Sequence, residues 1–158
     1  MSLLRTLAAL SWLIWGVLHL WVGQNGYVTW VAGPKVQWES LVGGDKVPHA
    51  AFVHTKDPAT AFAHSQLIFN FTNDVGGYGV LGVFIAFAIF FKSPADHFAY
   101  WVGVIILGIA DLSFLFIMVV GGVIHASFEV VLGPAIWFVA VVLTPFALDW
   151  SPKKTKTT

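Results

Sequence analysis

Four long apolar runs, set apart by short polar stretches, decide most of what this chain can fold into. Leu3 to Val22 is interrupted only by Arg5, Thr6, Ser11 and His19. Leu67 to Phe91 is interrupted by Asn70, Thr72, Asn73 and Asp74, and Phe98 to Ile124 by Asp111 and Ser113. Val130 to Leu148 carries Thr144 as its one polar break, with prolines at 134 and 145. Each run reaches the roughly 20 residues that a helix needs to cross the hydrocarbon of a bilayer. A spanning segment must satisfy its own backbone hydrogen bonds, so helices are the default. None of the runs alternates with period two, as a membrane β-strand would. The expected fold class is therefore an all-α membrane protein: a four-transmembrane-helix bundle with spans at about 3–22, 64–91, 97–124 and 129–148.

Composition agrees. Of 158 residues, 58% are hydrophobic and 10% charged, with a mean hydropathy of +0.80; soluble domains carry roughly 25% charged residues. So little charge cannot cover a surface in water, which makes the lipid bilayer the expected surroundings. Eight basic residues balance eight acidic ones, leaving no basic excess to hold a phosphate backbone, so no nucleic-acid partner is expected. The chain has no cysteine, which removes disulfides, iron–sulfur clusters, thiolate zinc sites and cysteine nucleophiles together. The first run has a basic start, but no A-x-A-like cleavage site follows it; the chain continues Gly23-Gln24-Asn25-Gly26-Tyr27, and the run reads as a retained span.

An even number of spans puts both termini on one side. Arg5, Lys92, Lys153, Lys154 and Lys156 lie in short segments on that side, whereas Lys35, Lys46 and Lys56 are spread over a long loop on the other. The positive-inside rule then predicts cytoplasmic termini. The long connection, 23–57, mixes Tyr27, Trp30, Trp38 and Phe52 with Gly, Pro, Lys and Asp. Tyr27–Val31 and Val36–Val42 fit either a hairpin around Ala32-Gly33-Pro34-Lys35 or short interfacial helices. Asp57-Pro58 reads as a helix cap followed by proline at the first helical position, starting the second helix near 58. Residues 151–158 form a basic tail.

Ionisable and amide groups at membrane depth are the main functional clue, since each is costly there. Gln66, Asn70, Asn73 and Asp74 fall within about a 100° arc of the second helix, and His97, Asp111 and His125 within about an 80° arc of the third. Gly108 and Gly122 share the latter face, which suits helix–helix contact. His19 and Glu129 sit at the matching ends of the first and fourth helices. These positions predict a polar pocket in the outer half of the bundle, open to the outside and floored by Asp74 and Asp111. Asp74 and Asp111 are the candidate catalytic groups, because carboxylates held away from water are poised to exchange a proton near neutral pH. His19, His64, Asn70, Asn73, His125 and Glu129 are the candidate ligand-binding residues. Imidazole and carboxylate also suit a metal, but no H-x-x-E-H, H-E-x-x-H or E-x-x-H spacing is present. His19 and His125 are the one histidine pair placed for haem, and both lie near the surface. The glycines at 76, 77, 79 and 82 are expected to be close-packing positions.

The span count, the long 23–57 connection and the intramembrane acids Asp74 and Asp111 make the layout similar to the four-helix membrane proteins of the sterol-isomerase and sigma-2 receptor group. It also resembles small DoxX-like bacterial membrane proteins. The former resemblance implies cytoplasmic termini and buried acids in a ligand pocket. The leading expectation is a bundle that binds, or acts by acid–base chemistry on, a small apolar molecule; aromatic content of 16% suits such a pocket. One alternative is a non-catalytic accessory subunit of a larger membrane complex. A second is a proton-coupled or metal-ion carrier, which four helices would support as a homodimer.

Overall fold

The computed structural model describes residues 2–150; the basic tail lies outside them. Among the described residues the chain is helices and connections, with no strand. The long helices are α1 (Leu3–Val31), α3 (Pro58–Phe90), α4 (Asp96–Val120) and α5 (Phe128–Ala147), with a short α2 (Pro34–Glu39) between the first two. The four long helices are apolar and long enough to cross a membrane, which marks a multi-pass membrane protein by length and composition.

The caps follow from local chemistry. The Ser2 hydroxyl accepts from the Arg5 amide, and the Ser127 hydroxyl from the Val130 amide, both at 3.4 Å. Asp57 accepts from the Thr60 hydroxyl at 2.6 Å and the Thr60 amide at 2.8 Å, and these bonds hold its carboxyl below the ordinary carboxylate value. Pro58 follows at the first helical position, so α3 begins where the Asp57-Pro58 pair implied.

Other boundaries move. The expected break at 22/23 falls inside α1, and the connection shrinks from 23–57 to 32–57. Gly23 and Gly26 cost helix propensity, yet both are enclosed by α3: Gly23 lies against Gly76 and Gly26 against Thr72. Packing overrides the local preference. Tyr27–Val31 therefore belongs to α1, and no hairpin forms. α4 stops at Val120 rather than 124, because the chain turns through Gly121 and Gly122, the latter at φ +80°. Within α4, Gly103–Leu107 and Phe114–Val120 adopt wide π-helical turns that flank an ordinary α-helical stretch, Gly108–Ser113.

α1 is the hub, packed along α3 and α5. Three indoles bridge the bundle, and a glycine receives each of them. A Cβ added at Gly103, Gly82 or Gly108 would come within 2.5, 2.7 or 2.6 Å of the Trp12, Trp15 or Trp137 ring, respectively. Each indole N–H also finds an acceptor, as a buried polar group must. Trp12 donates to Thr144 Oγ1 at 2.9 Å, Trp15 to Asp111 Oδ2 at 2.6 Å, and Trp137 to the Gly103 carbonyl at 3.0 Å. Outward positions such as Phe84, Phe98, Ile109, Phe138 and Phe146 are apolar and exposed, as contact with lipid requires.

The two ends of the bundle are tied differently. At the end where α1 begins and α5 finishes, buried Arg5 donates through Nη1 to the Ile89 carbonyl at 2.8 Å and to Asp96 Oδ2 at 3.2 Å. Asp96 Oδ1 also lies 2.8 Å from His97 Nδ1. At the opposite end, which holds the 32–57 connection, Lys46 N donates to the Gly122 carbonyl at 2.9 Å and His125 N to the Gly43 carbonyl at 3.1 Å. These bonds fasten the 43–46 segment to the turn after α4.

Candidate functional site

A cavity of about 900 Å³ opens near the connection end, walled by all four long helices, with Val42 of the connection over it. Its surface is mostly apolar: Leu18 and Val22 from α1, Val75 and Tyr78 from α3, Ile109, Phe114 and Met118 from α4, Val130 and Pro134 from α5. Its ionisable groups are His19, Asp74, Tyr78, Asp111 and Glu129, and Ser113 adds a hydroxyl.

Asp111 is the deepest of these, with 3% of its surface exposed. It sits on the α-helical stretch between the two π-helical turns of α4. Its Oδ2 accepts from Trp15, and its Oδ1 lies 3.4 Å from His19 Nε2. Trp15 and His19, one turn apart on α1, stack with ring centroids 3.7 Å apart. Gly133 on α5 closes the cluster, since a Cβ there would stand 3.1 Å from His19 Cε1 and 3.8 Å from Asp111 Oδ1.

The hydrogen bonds limit where protons can be. His19 Nδ1 lies 2.8 Å from the Trp15 carbonyl oxygen. A carbonyl only accepts, so Nδ1 carries a hydrogen, and a neutral ring then offers a lone pair at Nε2. An ionised carboxylate also only accepts. Nε2 and Oδ1 therefore face each other as acceptors unless one proton resides on the imidazole or on the carboxyl. The separation of these two atoms, 3.4 Å, is longer than the roughly 2.7–2.9 Å of a charge-assisted hydrogen bond.

The structure gathers some of the expected site residues and disperses others. His19, Asp74, Asp111 and Glu129 share the cavity. Asp74 is exposed and accepts from Asn70 Nδ2 at 3.2 Å; Asn70 itself stands one turn away, outside the lining. Asn73 is exposed and does not line the cavity. His64 stacks on Trp38 at 5.1 Å, beneath the connection rather than in the cavity. His125 lies on the surface turn after α4, 3.1 Å from Asp45. It precedes α5, which starts at Phe128, so no helical spacing links it to Glu129. His97 is at the far end of α4, beside Asp96 and Trp150. The shared face expected for His97, Asp111 and His125 fails because two π-helical stretches change the rotation per residue and the helix ends before His125. Among the described residues no three His, Asp or Glu side chains converge as a metal site.

Trp15 was not among the expected site residues, yet it is a direct partner of Asp111. Its signal was present: a tryptophan in the middle of an apolar run, rather than at its end, carries an N–H that hydrocarbon cannot satisfy.

The arrangement defines a class, a multi-pass helical membrane protein with an apolar cavity around a buried carboxylate–imidazole pair. Comparison with protein-family models, curated proteins and solved structures finds no match to this chain.

Proposed function

We propose that this protein binds, or acts by acid–base chemistry on, a small, largely apolar molecule held in the cavity. The observation that carries this reading is the His19–Asp111 pair set into an apolar cavity that has the volume for a small molecule: about 900 Å³, within the roughly 300–1,000 Å³ of small-molecule sites. In this reading Asp111 and His19 exchange the proton, Asp74 and Glu129 stand at the more exposed rim, and the apolar walls hold the rest of the molecule. Ionisable groups at membrane depth are more often kept for function than for stability.

Photolabelling in bilayer nanodiscs tests the reading. An uncharged, diazirine-tagged hydrocarbon is expected to label the 71–78 and 106–118 stretches that line the cavity. Ala110→Phe, which projects a ring into the cavity, is expected to abolish that label while the protein still melts cooperatively. Labelling unchanged by Ala110→Phe would refute the cavity as a binding site.

We propose also that both termini face the cytoplasm, supported by the basic residues of the terminal side and the 92–95 turn. The cysteine-free chain allows a direct check. Cysteine placed at Lys46 is expected to react with a membrane-impermeant maleimide on intact cells, and cysteine at Lys92 only after permeabilisation. The reverse pattern refutes this orientation.

A further inference from the structure

The walls of the cavity are not equally closed. α1 packs along α3 on one side and α5 on the other. α4 packs on α3 only as far as Leu107; its Phe114–Val120 stretch makes no more than marginal backbone contact with any other long helix. Phe71, Ile106, Ile109 and Ile117 line the cavity and are at the same time 52%, 44%, 62% and 66% exposed. Side chains that face both an interior space and the outside mark the edge of an opening. All four belong to α3 and α4, and two further lining residues, Trp21 of α1 at 59% and Val42 of the connection at 58%, are exposed as well. At the connection end Val42 lines the cavity, and the segment following it is fastened to 122–125 by the two backbone hydrogen bonds described above.

Three carboxylates line the cavity beside the Tyr78 and Ser113 hydroxyls, no lysine or arginine does, and His19 Nδ1 is taken by the Trp15 carbonyl. An anionic head would meet repulsion, and a head with acceptors alone would give Asp111 Oδ1 no donor beyond His19 Nε2, which stands 3.4 Å away. A head that donates a hydrogen bond satisfies it.

Resting on the cavity as a binding site, we infer that the ligand enters sideways from the bilayer through the α3–α4 seam. It is a lipid-soluble molecule with a hydrogen-bond-donating head, an alcohol or an amine, that reaches Asp111 while its hydrocarbon body lies in the seam. The rim acids Asp74 and Glu129 repel anionic lipids from the same entrance.

The absence of native cysteine makes the test clean. Val75→Cys/Ile117→Cys spans the seam, and Asp45→Cys/His125→Cys, whose native side chains lie 3.1 Å apart outside the cavity, ties the connection to the turn after α4. Each pair is linked with bismaleimides of graded length in nanodiscs and then exposed to a diazirine-tagged long-chain primary alcohol, the corresponding primary amine, or the methyl ether of the alcohol. Linking the seam is expected to reduce alcohol labelling near Asp111 to background, and linking the connection to leave it unchanged. With a reducible bismaleimide the same seam variant is its own reference, and label that returns when the linker is cleaved separates closure from misfolding; Tyr78→Cys/Ser113→Cys repeats the seam closure at a second level. Alcohol and amine are each expected to label about tenfold more efficiently than the ether, the size of effect that follows from one hydrogen bond to a charged group. Blockage by the connection linker alone, or by neither linker, overturns sideways entry. Equal labelling by ether and alcohol overturns the donating head. Wild-type protein labelled by none of the probes overturns the binding reading itself, a result distinct from the other two.

Discussion

Asp111 depends on Trp15 more than on any other neighbour, because the indole supplies its shortest hydrogen bond from a side chain that cannot reach water. Trp15→Phe keeps most of the packing against Gly82 but leaves Oδ2 without its donor. A loss of about 2 kcal/mol is expected, the range for hydrogen bonds to charged groups. Trp12→Phe is the matched comparison. Its acceptor, Thr144 Oγ1, retains its own bond to the Ala140 carbonyl at 2.6 Å, so a loss of about 1 kcal/mol is expected. Unfolding in mixed micelles ranks the two variants, and equal losses would mean that Asp111 does not need the indole. Gln37 presents the opposite case. It is buried to 1% exposure on α2, and neither its Oε1 nor its Nε2 has a hydrogen-bond partner. Gln37→Leu removes two unserved polar atoms at similar volume and is expected to stabilise by about 1 kcal/mol, read as a higher melting temperature. A lower one would reveal a polar partner for the amide.

Among the helices, the α1–α3 contact is the one built on backbone proximity. A Cβ at Gly79 would stand 2.6 Å from the Leu20 amide nitrogen and 2.7 Å from the Gly16 carbonyl oxygen, whereas a Cβ at Gly77 meets nothing within 4 Å. Gly79→Ala should therefore destabilise by about 1–3 kcal/mol through overpacking, while Gly77→Ala should be neutral or stabilise by up to about 1 kcal/mol through helix propensity. Thermal unfolding of the two variants checks the contrast. This pair also shows how far the sequence could be read. Glycines 76, 77, 79 and 82 looked alike along the chain, and only the direction each faces separates 77 from the rest. The helices themselves were legible, because hydrocarbon leaves a spanning backbone no other way to satisfy its hydrogen bonds. Their ends were not, since Gly23 and Gly26 are kept helical by partners on another helix. The π-helical turns of α4 carry no proline or other local mark, so the face assigned to His97, Asp111 and His125 rested on a constant twist that this helix does not have.

For the molecule as a whole, the end where α1 begins is secured by a buried ion pair. Arg5→Ala leaves Asp96, at 8% exposure, with His97 as its remaining side-chain partner and should cost about 3 kcal/mol, whereas the double replacement Arg5→Met/Asp96→Leu should lie near wild type. Denaturant titration of both decides the matter; similar losses would mean that the charges themselves are required. The candidate site was legible in the same partial way. Depth singled out Asp111, and the polar break singled out His19, but their meeting depends on how α1, α4 and α5 converge on Gly133, which no local pattern announces. His64 and His125 were equally visible as letters and ended up beneath the connection and on a surface turn.

One disparity in size has a mechanical result. α1 and α3 contain 29 and 33 residues against 20 in α5, or about 44 and 50 Å against 30 Å at 1.5 Å per residue, where the hydrocarbon is about 30 Å thick. The surplus of both helices projects at the same end as a paired prong, with Trp30 and Phe69 stacked between its arms at 4.5 Å. Neither helix has a joint between prong and cavity: α1 runs unbroken through His19, and α3 through Asp74. The prong is thus a lever, and a push applied to it is delivered as a tilt of the two walls that carry the imidazole and the rim carboxylate.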